Sequence, residues 1–244
     1  MLLECCVDCV ESALEADRGG ADRLELCANL LIGGTTPDIN LFYRVKRQVK
    51  AKVNVLLRPR FGDFCYTDEE FAILEADVRL FAEAGADGIV IGVLNPDGTV
   101  DEPRMERLMK AAGGLPVTFH RAFDVTRDAM EALEACKRLG VATILTSGQQ
   151  NSAMEGRELL KELVEKAGDV DILVGSGVNS KNLPTLLQTG AKSYHMSAKK
   201  VVESPMTYRR EGVSMGLPMM SEFTLWRCDG DELARARAIL DAAD

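Results

Sequence analysis

Gly20-Ala-Asp-Arg-Leu-Glu-Leu26 recurs in altered form as Gly85-Ala-Asp-Gly-Ile-Val-Ile91, Gly140-Val-Ala-Thr-Ile-Leu145 and Gly190-Ala-Lys-Ser-Tyr-His195. In each copy a glycine able to take the left-handed conformation that ends a helix is followed at once by a short apolar or β-branched run. Working outward, the spacing predicts strands at 2–8, 23–28, 52–60, 88–94, 116–124, 143–148, 171–178 and 193–198. Helical stretches fill the gaps. In 68–84, for example, Phe71, Leu74, Val78 and Phe81 fall on one helical face. Strands alternating with helices mean βαβ units and a parallel sheet, and eight of them with one repeated junction favour a single closed (β/α)8 TIM barrel spanning 1–244. No Gly-x-Gly-x-x-Gly follows the first strand, so no nucleotide cofactor is expected. Residues 199–231 separate the last strand from a last helix at 232–242 and read as a long loop, of the kind found in function or in an interface.

Bulk properties exclude several function classes. A net charge of −9 gives no basic footprint for nucleic acid or an anionic membrane. No window approaches the roughly 18 apolar residues of a membrane span. The odd count of seven cysteines fits reduced thiols in the cytoplasm better than a disulfide framework.

In such a barrel the carboxyl ends of the strands carry the chemistry. Both histidines of the chain, His120 and His195, fall there, as candidates for acid–base work or metal ligation. Glu4-x-Cys6 on the first strand repeats as Glu25-x-Cys27 on the second, and alternation points each glutamate the same way as its cysteine. If both faces turn inward, two carboxylates and two thiols meet inside the barrel, and such carboxylates need cations nearby. Arg58 and Arg60 on the third strand are the expected partners. Two readings stay open: structural Glu–Arg pairs with space-filling cysteines, or a site. The pair Cys6-x-x-Cys9 has metal or redox spacing but no second half.

The run 58–66 supplies Arg58, Arg60 and Asp63, a combination suited to a carboxylate or phosphate ligand, and 119–124 delivers His120, Arg121 and Asp124. Ser147 and Gly175–Gly177 end the sixth and seventh strands. With Ser197 at the end of the eighth, Gly175 and Gly177 mark the corner where barrels of this type often hold an anion, helped by the third-strand arginines. No lysine lies within strands five to eight, leaving no nucleophile for a Schiff-base aldolase. From these residues Glu4, Glu25, His120 and Asp124 are candidate catalytic groups. The ligand-binding candidates are Arg58, Arg60, Asp63, Arg121, Ser147, Gly175, Gly177, His195 and Ser197.

The stretches 4–8, 20–27, 33–37, 58–64, 116–124 (Pro-Val-Thr-Phe-His-Arg-Ala-Phe-Asp), 145–148 and 204–209 together resemble the CutC family of copper homeostasis proteins, from Leu2 to beyond Met215. The resemblance implies a cytoplasmic barrel linked to copper tolerance and assembled as a homo-oligomer, dimer or tetramer. It also implies copper(I) ligands at Cys6 and Cys27. Cys9 stands where the family has another residue and receives no such role. Thiolates are soft donors that select copper(I). A mouth lined by Arg58, Arg60, His120, Arg121 and Asp124 favours a second reading, an enzyme or sensor for a small anionic, including phosphorylated, metabolite.

Overall fold

The computed structural model describes residues 1–213, 215 and 221–243. Eight parallel strands close into a barrel in sequence order: β1 (Leu2–Val7), β2 (Arg23–Leu26), β3 (Lys52–Leu56), β4 (Gly88–Ile91), β5 (Val117–Phe119), β6 (Thr143–Thr146), β7 (Asp171–Val174) and β8 (Ser193–Met196). The helices between them are α1 (Val10–Arg18), α2 (Ile39–Lys46), α3 (Asp68–Glu83), α4 (Glu102–Ala111), α5 (Ala129–Leu139), α6 (Arg157–Lys166) and the short α7 (Leu183–Leu186), with α8 (Gly230–Ala243) closing the chain.

Local chemistry explains the boundaries. Thr67 and Glu70 form a reciprocal capping box that starts α3, and Phe71, Leu74, Val78 and Phe81 are its buried face. The repeated junction glycines Gly20, Gly85, Gly140 and Gly190 have φ of 87°, 90°, 72° and 82°, a region that costs an L side chain strain. One face of each strand, including Leu3, Cys5, Val7, Leu24, Leu26, Val53, Val55, Ile89 and Ile91, packs into the apolar layer beneath the helices.

The opposite face holds Glu4, Glu25, Asn54, Thr118, His120 and Thr143, all buried, so the barrel interior is unusually polar. Register sets the heights. Glu4 lies beside His195 across β1 and β8, and Cys6 lies beside Glu25 across β1 and β2. Two neighbour pairs thus bring three strands' side chains to one end of the barrel.

The expected loop at 199–231 is corrected in part. It contains an antiparallel pair, β9 (Lys199–Glu203) and β10 (Thr224–Cys228), with Lys199 opposite Cys228 and Lys199 Nζ 3.8 Å from the Trp226 ring centroid. Val201 and Trp226 are β-branched and aromatic residues that favour a pleated surface. Residues 214 and 216–220 lie outside the described residues. Among the described residues no helix is long and apolar enough to cross a membrane.

Candidate metal centre

β1, β2 and β8 together position one donor cluster: the ligand atoms of Cys6, Glu25 and His195 all lie within 4.8 Å of one another. His195 Nδ1 is 2.6 Å from Glu4 Oε1, which leaves Nε2 as the ring nitrogen for a metal, while the Cys6 thiol lies toward the Met196 carbonyl oxygen at 3.8 Å. Glu4 is 1% exposed and is held on its other oxygen by Arg23 Nε. A carboxylate behind an imidazole fixes the ring's tautomer and aim, the usual support of a metal-ligating histidine.

The electrostatics follow from this burial. Desolvation alone would raise the Glu4 carboxyl, but the bond to His195 and the charges of Arg23 and His195 outweigh it, and the carboxyl lies below its ordinary value. Glu25 has no such bonded cation: burial pushes it up to about 7, with His195 pulling it down and Glu4 adding to the rise. Burial would lower His195, but Cys6, Glu25 and Glu4 hold it well above an ordinary imidazole. Burial raises the Cys6 thiol, and His195 offsets part of that rise.

Cys27 is buried one layer aside, among Leu56, Val90 and Leu30, with Sγ 3.6 Å from the Val7 carbonyl oxygen. Burial, with the neighbouring Cys6 next, raises its thiol well above the ordinary value. The Cys9 thiol bonds Ser12 Oγ rather than completing a pair with Cys6.

A pocket of about 140 Å³ opens over this cluster, lined by Cys6, Glu25, Arg58, His120, Arg121 and His195 on its polar side and by Leu30, Leu56, Phe64 and Leu145 on its apolar side. The expected pairing of Glu4 and Glu25 with Arg58 and Arg60 does not occur. Glu4 takes Arg23 from the start of β2, and Arg60 turns outward to Glu70 and Asp63. Asp63 sits on that exposed loop. Arg58 is buried, with Tyr66 beside it, and its terminal guanidinium nitrogens bond the main-chain carbonyls of Gly33, Gly34 and Gly62. The reason is reach: β3 arginines beyond Leu56 lie above the Glu4 layer, whereas Arg23 stands directly beside it in register. Sequence reasoning missed Arg23, although its i,i+2 relation to Glu25 puts it on the same strand face.

His120 Nδ1 accepts from the Ala122 amide, capping a 3-10 turn over Arg121–Val125. Asp124 does not line the pocket. It accepts from Thr146 Oγ1, from the amides of Ser147 and Gln149, from Ser147 Oγ and from Arg121, and so clamps the turn after β6. Ser147 is fully buried in that clamp. Gly177 and Ser197 share a separate open cleft of about 550 Å³ with Lys181, Lys199, Asp229, Glu232 and Arg235. Gly175 lies outside it, against Leu145 and His195, and the third-strand arginines do not reach it, which corrects that part of the expected anion corner.

The model of the CutC family matches residues 1–200. The chain belongs to the CutC family. A CutC protein of Klebsiella pneumoniae (strain 342) is 46% identical over 243 residues, covering 99% of this chain and 98% of that one. A human relative named copper homeostasis protein cutC homolog is 45% identical over 241 residues, covering 98% of this chain and 88% of its own. The solved CutC structure from Streptococcus agalactiae superposes with a TM-score of 0.77 at 34% identity, covering 81% of this chain and 98% of that chain. Thiamine phosphate pyrophosphorylase of Pyrococcus furiosus, at 17% identity and TM-score 0.58, shares the CutC fold alone.

Proposed function

We propose that this CutC-family chain binds copper(I) as cargo at the barrel mouth, in the cytoplasm, through the Cys6 thiolate and the His195 imidazole with the Glu25 carboxylate beside them. The observation that carries the reading is the convergence of those three donors within 4.8 Å, with Glu4 behind the imidazole. A thiolate and an imidazole are donors that copper accepts, and the relatives' names link the family to copper homeostasis. Cys27 is the second thiolate the family resemblance implies. Its place two residues beyond Glu25, the register partner of Cys6, supports a two-thiolate variant reached by rotating its side chain away from Leu56 and Val90.

The reading also includes a homo-oligomer, supported by Val201, Met206, Tyr208 and Met215, which stand exposed on and beyond β9.

Competition of the reduced protein against a chromophoric copper(I) chelator tests the site. One copper per chain is expected, and Cys6→Ser should lower affinity by about 100-fold or more, at least the upper end of what loss of a supporting partner costs. Cys27→Ser should change it by less than about tenfold. Equal affinity in wild type and Cys6→Ser removes the site. An equal large loss in both variants favours the two-thiolate form.

A further inference from the structure

We propose that the same mouth holds a second ligand besides the metal: a small organic carboxylate seated on Arg58 and His120. The inference does not rest on copper binding.

Arg58 is 7% exposed, and among the described residues it forms no ion pair with a carboxylate. Its terminal nitrogens are taken by loop carbonyls, but Nε has no partner. His120 is 4% exposed, and since Nδ1 accepts from the Ala122 amide, the proton sits on Nε2, which also has no partner. Both side chains pack on one ring: the Arg58 guanidinium lies 4.7 Å and the His120 ring 4.8 Å from the Phe64 centroid. Both line the pocket. A buried cation without a counter-ion and a buried N–H without an acceptor are each costly, and one carboxylate would satisfy both.

The rest of the pocket narrows the class. Its volume of about 140 Å³ equals the space of roughly four or five waters, enough for a carboxylate on a short chain. Leu30, Leu56, Phe64 and Leu145 would cover an aliphatic body, whereas an inorganic oxyanion would leave some of its oxygens against carbon. Glu25 also lines the pocket, and a second negative charge on the ligand would meet its carboxyl group wherever that is ionised, so a monoanion fits best.

The probe is propionate, titrated into metal-free full-length protein with inorganic phosphate and propionamide as parallel arms. With only two histidines in the chain, a histidine-selective ¹⁵N spectrum reads His120 directly. Propionate is expected to move the His120 Nε2–H resonance saturably, propionamide to bind at least about tenfold more weakly, and Arg58→Lys to weaken propionate by about tenfold or more, since lysine cannot reproduce the guanidinium geometry. If Arg58→Lys does not fold, the resonance shift and the amide comparison decide alone. No saturable shift with propionate overturns the proposal, as does an equal response to propionamide. A response to phosphate alone overturns the carboxylate assignment. Copper titration without propionate, run separately, keeps failure here distinct from failure of the copper reading.

Discussion

At the scale of single residues, Glu4 is the side chain on which the site turns. It is fully desolvated, and two cations compensate it, Arg23 from one neighbouring strand and His195 from the other. Removing one partner of such a group strands the remaining charges, at a cost of about 3–5 kcal/mol. Glu4→Gln is therefore expected to destabilise the metal-free protein by about 3 kcal/mol in urea melts. A double-mutant cycle of Glu4→Gln with Arg23→Met should show coupling above about 1 kcal/mol, and the corresponding cycle with Arg58→Met less than about 0.5 kcal/mol. Coupling through Arg58 instead would return to the pairing that the strand spacing suggests. His120 gives a pH signature. Burial, with the charge of Arg58 next, holds it neutral and pushes its pKa down to about 3. Unfolded, it titrates near 6.5. Below about pH 6.5 the unfolded chain takes up a proton that the native state refuses, so this contribution is complete above that pH and is lost as pH falls toward 3. The slope is at most about 1.4 kcal/mol per pH unit. Stability of wild type should fall between pH 6.5 and 5 more steeply than that of His120→Gln; parallel curves would place His120 in a more solvated or charge-paired setting.

At the scale of elements, the repeated glycine junction makes the barrel legible, because a helix stop followed at once by a strand is a local signal that tertiary packing does not override. The hairpin of β9 and β10 was not legible as sheet. Its two short strands are separated by twenty residues and only pairing across that gap gives either one a ladder. β9 is exposed throughout, an edge of the kind that proteins shield by charge or by a partner. Lys199, Lys200 and Glu203 supply the charge, while Val201, exposed by 64%, does not. Light scattering should therefore report a dimer or tetramer, and Val201→Lys combined with Tyr208→Lys should shift it toward monomer with little change in monomer fold. A wild-type monomer at micromolar concentration would remove the hairpin from any assembly.

At the scale of the whole molecule, the parity argument from Glu4-x-Cys6 and Glu25-x-Cys27 identifies which side chains enter the barrel, but not which of them meet. That depends on register between strands distant in sequence: β1 against β8 brings His195 to Glu4, and β1 against β2 brings Glu25 to Cys6. Spacing along one strand carries no information on either offset. Asp124 illustrates the converse. Its place at the end of β5 suggests the mouth, yet the turn after β6 offers it a full set of donors and draws it there. The resulting interior trades apolar packing for a charged, hydrogen-bonded layer, a trade that natural proteins make at sites that bind or react. The ligand set of that layer is read most directly by X-ray absorption at the copper edge on the reduced protein loaded with one copper(I) per chain. One sulfur together with imidazole scattering, the latter lost in His195→Gln, is the result expected from Cys6 and His195. Two sulfurs with no imidazole contribution would contradict it.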